Sequence, residues 1–230
     1  LALGYEQEKI IGNRKIIGLG YQDIKKEIIS FSPDIVGITA PFSFQSKEAH
    51  RVAKIVKKIN SKIITIAGGS HATIQPEEIL NDKNFDFAIR GEGEYVILEL
   101  LKTLKNKTSL KNIKGLSFRK SKNQIINNQN ALPIQNLDQL PLPARHLLPM
   151  EKYFQAAKKG RVIEGMLSFG NRRTSIFTSR GCPFTCTFCS VHLTMTRTWR
   201  GRSPENVIAE IKECVNKYKF TLYSDVVCAQ

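Results

Sequence analysis

Lys62-Ile63-Ile64-Thr65-Ile66-Ala67-Gly68-Gly69-Ser70-His71 is the stretch on which the fold turns. Its first six residues are a strand-sized run rich in β-branched side chains, which predicts a buried strand. The glycine pair that closes it permits a tight turn or a close approach of backbone to a ligand. Upstream, Ala49, Val52, Ala53, Val56 and Ile59 follow helical spacing over 47–60, and 35–40 reads as another short apolar strand. Ser32-Pro33-Asp34 separates that strand from a helical stripe of Tyr21, Ile24 and Ile28. Downstream, 85–90 reads as a strand and 94–105 as a helix with Ile97, Leu98, Leu101 and Leu104 inward.

Short buried strands alternating with amphipathic helices predict an α/β fold: a doubly wound, Rossmann-like parallel sheet with helices on both faces. Ligands of such sheets sit beyond the carboxyl ends of the strands. Those ends carry Thr39-Ala40-Pro41-Phe42-Ser43, then Gly68-Gly69-Ser70-His71, then Gly91-Glu92-Gly93-Glu94. This first domain is expected over 1–108, with its first strand missing. A hairpin over 116–119 and 124–127 follows, and then Pro133, Pro141, Pro143 and Pro149, too dense for a helix or a central strand. Residues 109–150 are therefore expected to be hairpin and proline-rich connection. In the remaining 151–230, a strand at 174–179 delivers a cysteine loop. Ser203 then caps a helix with Pro204 at its first position and Val207, Ile208, Ile211, Val215 and Tyr218 on its apolar face. A further strand begins at 220–223. A strand, a helix and a strand cannot close a core, and the chain opens at Leu1, so sequence is expected to be missing at both ends.

Hydrophobic residues make up 41% and charged residues 24%, an ordinary globular balance, and no apolar run approaches a membrane span. The 35 basic and 20 acidic residues give a charge of +15, which suggests an anionic partner. Between Lys158 and Arg202 nine Lys/Arg face the single acid Glu164, so the arginines flanking the cysteines are candidates to meet an anionic cofactor or substrate. The other lysines read as a solvated surface, and nucleic acid is unsupported by any recognition motif. Three of the five cysteines lie within eight residues, which fits ligation in a reducing, cytoplasmic setting rather than a disulfide scaffold.

Those three are Cys182, Cys186 and Cys189, in Arg180-Gly181-Cys182-Pro183-Phe184-Thr185-Cys186-Thr187-Phe188-Cys189. C-x3-C-x2-C lets one loop wrap a cubane cluster, each thiolate on a different iron. Three ligands for four irons leave one open to the amino and carboxylate groups of a small molecule. The bland alternative is zinc with a fourth ligand from Cys214, Cys228 or His192, but the paired C-x2-C halves of zinc knuckles are missing. Cys214 reads as a buried apolar thiol.

At these residues the chain resembles the radical S-adenosylmethionine superfamily. The motif follows the first barrel strand, an aromatic residue, Phe188, precedes the third cysteine, and Arg200-Gly201-Arg202-Ser203-Pro204-Glu205 resembles the helix start after the cluster loop. The resemblance implies the start of a partial TIM-type (β/α) barrel. It implies also a [4Fe–4S] cluster that reduces bound S-adenosylmethionine to a 5′-deoxyadenosyl radical, an electron donor such as flavodoxin or ferredoxin, and contact of Phe188 with the adenine region. A core aromatic under the loop is the plain alternative for Phe188. The upstream strand ends resemble the cobalamin-binding domain that precedes many such barrels. That likeness implies cobalamin contacts at Thr39, Ser43, Gly68, Gly69, His71, Gly91 and Glu92. The D-x-H-x-x-G motif of mutase-type domains is absent, so no histidine on the lower face of cobalt is expected; for His71 a histidine satisfied by backbone in a loop is the plainer account.

The leading expectation is thus a cobalamin-dependent radical S-adenosylmethionine enzyme, with C-methyl transfer to a small-molecule substrate as the leading reaction and cyclisation or another rearrangement, shared by enzymes of this architecture, as the alternative. A tRNA methylthiotransferase would carry three further cluster cysteines in its N-terminal domain, and no cysteine precedes Cys182. A basic nucleic-acid-binding module with a structural metal lacks paired knuckles and an aromatic-basic stacking pattern.

Overall fold

The computed structural model describes residues 8–11, 14–122, 124–158, 172–220 and 222–225. It divides into a sheet unit, Ile24–Ile134 with Phe184–Arg197, and a C-terminal unit, Gln135–Pro183 and Thr198–Gln230 with Leu1–Asp23. A short hairpin opens the chain, β1 (Glu8–Ile11) pairing antiparallel with β2 (Arg14–Ile17). Helix α1 (Tyr21–Phe31) half-buries the expected stripe of Tyr21, Ile24 and Ile28.

In the sheet unit the order is β3 (Ile35–Thr39), α2 (Ser46–Ile59), β4 (Ile64–Gly68), α3 (Ser70–Ile74), α4 (Pro76–Asn81), β5 (Phe87–Ile89), α5 (Glu94–Asn106), β6 (Leu116–Ser121) and β7 (Gln124–Asn127). The strands lie side by side as β3-β4-β5-β6-β7. The first three are parallel, with Ile35 opposite Ile64 and Ala67 opposite Ala88, and β6 and β7 add antiparallel. Alternation along β4 sends side chains to both faces. Ile66 joins Phe87, Val96, Leu100, Leu116 and Phe118 beside α5, while Ala67 joins Ala49, Ala53, Ile79, Leu80 and Phe85 beside α2 and α4. This is the doubly wound architecture. The hairpin, expected beyond the first domain, is the antiparallel margin of the same sheet, because Leu116 and Phe118 complete the core that α5 covers.

The inward face of α5 also differs from its reading. Val96 and Leu100 are buried, with Ile97 and Leu104 packed beside them, whereas Leu98 and Leu101 are exposed. Four consecutive apolar positions, 95–98, leave the phase of this helix ambiguous in sequence, and the sheet selects the 96/100 stripe.

The C-terminal unit contains α6 (Met150–Lys158), β8 (Arg173–Ile176) and β9 (Ser179–Arg180). The cysteine loop follows, and then α7 (Val191–Met195), which belongs to the sheet unit and packs against α3. Next come β10 (Arg200–Gly201), α8 (Pro204–Tyr218) and β11 (Leu222–Asp225). β11 pairs parallel with β8, which makes β8-α8-β11 one parallel crossover unit, the repeating step of a β/α barrel. Ser203 caps α8 as expected, its hydroxyl accepting from the Asn206 amide at 3.1 Å.

The buried face of α8 is Glu210, Cys214 and Tyr218, while Ile208 and Val215, expected inward, are exposed. The reason is electrostatic. Glu210, fully buried, takes Arg145 Nη2 at 2.6 Å on one oxygen and Arg202 Nη1 on the other. Arg145, 6% exposed, also donates to the Ser175 carbonyl of β8, and the Asp138 carboxylate accepts from the Ser203 amide at 3.0 Å. The proline-rich stretch, read as a connection, is therefore fastened to the C-terminal unit from Gln135 onward.

Removing one partner of a buried ionic cluster leaves uncompensated charge. Glu210→Gln should therefore cost roughly 3–5 kcal/mol of unfolding free energy, read from urea denaturation, whereas exposed Glu205→Gln should not.

Candidate functional site

Two places carry the chemistry foreseen from the sequence, and each is described on its own. The first is the set of carboxyl ends of β3, β4 and β5. Gly69 has φ +96°, and a side chain there would meet the Ala40 carbonyl oxygen at 2.9 Å, so glycine is required by packing of backbone on backbone. The turn is stitched across the strands. The Ala40 amide donates to the Gly68 carbonyl and the His71 amide to the Ala40 carbonyl. The Thr73 hydroxyl donates to the Gly69 carbonyl and accepts from the Gly91 amide. By contrast, nothing lies within 4 Å of a side chain built on Gly68 or Gly91, so the backbone is open at both. Thr39 and Ser43 are exposed here, as are Phe42 and Phe44, whose rings stack 5.6 Å apart. Glu92 is engaged locally, accepting from the Ile134 amide at 3.0 Å.

His71 is buried on α3, a short helix where a loop was expected, and both its ring nitrogens have side-chain partners. Nδ1 lies 3.0 Å from the Ser43 hydroxyl and Nε2 lies 2.7 Å from Glu78. The other oxygen of Glu78 meets His50 at 3.2 Å, and His50 also meets Asp82 at 2.7 Å. Burial works to raise the pKa of Glu78, but hydrogen bonds and charge from His71 and His50 outweigh it and hold the group below the ordinary carboxylate range. Asp82 is likewise held low, against burial, by the Asn84 amide, His50 and the Asn84 side chain.

The second place is the cysteine loop. β9 pairs antiparallel with β10, and Gly181 then turns at φ +82° with the Thr198 carbonyl where a side chain would stand. Only glycine fits. Cys182 is buried, Cys186 exposed and Cys189 half-buried, and none is in a disulfide. The Cys189 amide donates to the Cys186 carbonyl at 3.2 Å, closing the C-x2-C turn. Among the described residues no three His, Cys, Asp or Glu side chains converge closely enough to hold a metal ion. Phe188 is 91% exposed, which removes the plain alternative of a core aromatic under the loop. Cys214 is fully buried beside Phe154, Tyr218 and Phe220, and burial pushes its thiol up, away from the thiolate a zinc ligand requires. Cys228 lies outside the described residues.

The flanking arginines behave differently from their reading as anion contacts. Arg172 pairs with both oxygens of Glu151, donates to the Tyr218 carbonyl and lies 3.9 Å over the Phe154 ring. Arg197 donates to the Phe184 carbonyl, and Arg202 to Glu210, Asn206 and the Phe177 carbonyl. A guanidinium carries five donors in a fork; Arg172 and Arg202 place most of theirs on the protein, and exposed Arg197 gives one to a carbonyl.

Residues 3–101 match the B12 binding domain family. An uncharacterized methyltransferase from Pyrococcus horikoshii is 42% identical over 195 residues, covering 84% of this chain and 39% of that protein. This chain is thus similar over residues 3–101 to a B12 binding domain and over most of its length to a protein named a methyltransferase. Cytidylyl-2-hydroxyethylphosphonate methyltransferase of Streptomyces wedmorensis is 28% identical, over 93% of this chain and 43% of its own length. The chain thus spans about two fifths of the length of these relatives. Among solved structures, the cobalamin-dependent S-adenosylmethionine radical enzyme OxsB, with aqua-cobalamin and S-adenosylmethionine bound, has the same fold. Its TM-score is 0.71 at 21% identity, over 90% of this chain and 27% of that one.

The B12-binding domain fits a corrinoid on its own geometry: the backbone is open at Gly68 and Gly91, and exposed hydroxyl and aromatic side chains stand around it. The three loop thiols are in no disulfide, the chemical form in which cysteine can ligate iron. No helix among the described residues is long and apolar enough to cross a membrane. Sequence reasoning passed over Glu78, His50, Arg145 and Glu210; of these only Glu210 gave a signal, a carboxylate four residues before a cysteine read as buried.

Because Glu78 and Asp82 are held low, the stability they contribute is full above their unfolded values and is lost as pH falls past those values and through the lowered folded ones. Melting temperature followed from pH 7 down through the carboxylate range should therefore fall less steeply in His50→Gln than in the unaltered protein.

Proposed function

We propose that this chain is the cobalamin-binding and cluster-binding portion of an enzyme that cleaves S-adenosylmethionine reductively and transfers a methyl group to carbon on a small-molecule substrate. The observation that carries it is the C-x3-C-x2-C loop between β8 and α8 of a parallel β8-α8-β11 crossover, on a chain whose residues 3–101 match the B12 binding domain. The methyltransferase names of its relatives support the choice of reaction. When bound, the cluster and S-adenosylmethionine would supply one-electron chemistry, and cobalamin a methyl carrier.

Within this reading Cys182, Cys186 and Cys189 present three thiolates, leaving one iron for S-adenosylmethionine. Gly181 fixes where the loop leaves β9, and the exposed ring of Phe188 is available to the adenine. In the B12-binding domain, Gly68 and Gly91 let backbone approach the corrinoid, with Thr39 and Ser43 as polar contacts. Gly69, His71 and Glu92 hold those contacts in place. No histidine would reach cobalt, since the ring nitrogens of His50 and His71 are all engaged by neighbours. Electrons would come from a donor such as flavodoxin or ferredoxin, in a reducing, cytoplasmic setting.

After anaerobic reconstitution, iron and sulfide analysis should show four irons per chain in the unaltered protein and in Cys214→Ala, and loss of the cluster in Cys182→Ala, Cys186→Ala or Cys189→Ala. A Cys186→Ala protein with an intact four-iron spectrum would refute the ligand set. Electron paramagnetic resonance of protein loaded with cob(II)alamin should lack strong nitrogen superhyperfine splitting; splitting that vanished in His71→Ala would show a histidine on cobalt.

A further inference from the structure

Within the cysteine loop, residues 183–188 are exposed without a break, and Cys189 is half-buried where the chain enters α7. Thr187 and Phe188 form the corner of a turn that the Cys189 amide closes on the Cys186 carbonyl at 3.2 Å. A turn closed between its first and fourth residues holds their Cα atoms within about 7 Å, and the Cα atoms of a disulfide lie about 4.4–6.8 Å apart. Side chains that face each other across such a turn leave it on one side, as cross-strand partners do. One backbone hydrogen bond thus brings Cys186 and Cys189 into disulfide range, and the exposed corner leaves the turn room to tighten.

Two other cysteines are placed differently. Cys182 is 9% exposed and Cys214 is fully buried on α8. Thiol–disulfide exchange needs access to the attacking sulfur, so an oxidant in solution meets Cys186 first. Cys189, three residues on and in the same turn, is the thiol placed to complete the exchange.

We infer that Cys186 and Cys189 form a reversible disulfide in the iron-free chain, with a small disulfide such as glutathione disulfide as the oxidant. The Cys186 sulfur attacks one sulfur of glutathione disulfide; that S–S bond breaks, and one glutathione leaves as thiol with the Cys186 proton. The Cys189 sulfur then displaces the second glutathione from Cys186, and its proton goes with that leaving thiol. The protein pair loses two electrons and two protons, and glutathione disulfide gains both. The bond withdraws two of the three thiols that the proposed cluster needs, so it locks cluster assembly until it is reduced. It also shields an exposed sulfur from the irreversible steps of oxidation. The lock rests on the cluster reading above; the disulfide does not.

The test takes the full chain, stripped of iron by a chelator and reduced, exposes it to glutathione disulfide, removes small thiols and alkylates with iodoacetamide. Trypsin releases Cys182, Cys186 and Cys189 together in the peptide from Gly181 to Arg197. Mass fragmentation should place an alkyl group on Cys182 and a bond between Cys186 and Cys189, whereas chain treated with dithiothreitol should be alkylated on all three. Cys182→Ala should still form the bond, and Cys189→Ser should stop with glutathione on Cys186. Cluster offered by a preloaded scaffold protein, with no thiol reductant present, should load the reduced chain and be lost from the oxidised one. Alkylation of both Cys186 and Cys189 after glutathione disulfide, or a bond from either to Cys182, Cys214 or Cys228 instead, overturns the disulfide. Equal loading of oxidised and reduced chain overturns the lock. If the bond forms but even the reduced chain takes up no cluster, the cluster reading and the lock fall and the disulfide stands.

Discussion

Everything at the strand ends depends on one backbone contact, the turn at Gly69 lying against the carbonyl of Ala40. A side chain at 69 would stand 2.9 Å from that oxygen, so β3 and β4 can close on each other only because none is there. From this contact the amide of His71 reaches Ala40, which starts α3 in the one place where its histidine meets Ser43 and Glu78. Thr73, on the same helix, ties Gly69 to Gly91 and so draws in the end of β5. Three strand ends, one short helix and a buried hydrogen-bond chain thus share a single steric condition.

How much of this could be read from sequence follows from which forces leave a period. Burial on both faces of β4 writes an unbroken apolar run, and helix α2 writes a clean stripe, so the α/β architecture and the elements of its sheet were legible, whereas β1, β2, the short helices α3, α4 and α7, helix α6 and the β9–β10 pair were not read. The cap of α8 was legible because Ser203 and Pro204 act within one turn. Phase failed where a helix had apolar residues to spare, as at 95–98. It failed also where a charge was buried, as at Glu210, since a carboxylate on an inward stripe makes sense only once Arg145 and Arg202 arrive from distant parts of the chain. The cysteine spacing was visible at once; convergence of its thiols is a tertiary property that spacing does not contain.

The arginines carry a related lesson. A cluster of like charge beside a reactive loop invites an anionic ligand, yet Arg172, Arg197 and Arg202 all end on carboxylates and carbonyls of the protein itself. Delocalised, weakly hydrated guanidinium groups are well suited to fastening irregular backbone, and loops with few ladder hydrogen bonds need such fasteners. Net charge counts residues; it does not say which of them are already answered.

The attachment of 135–149 to the C-terminal unit has a consequence for exchanging modules between relatives. Prolines suggest a joint at their centre or just after them, but Asp138 and Arg145 serve the helix start and the buried acid of the module that follows. A splice made after Pro149 would leave Glu210 facing a foreign segment with no matching guanidinium. One made between Ile134 and Gln135 would carry Asp138 and Arg145 along with Ser203 and Glu210, so the anchor travels with its receptor, although α7 would then meet a foreign α3.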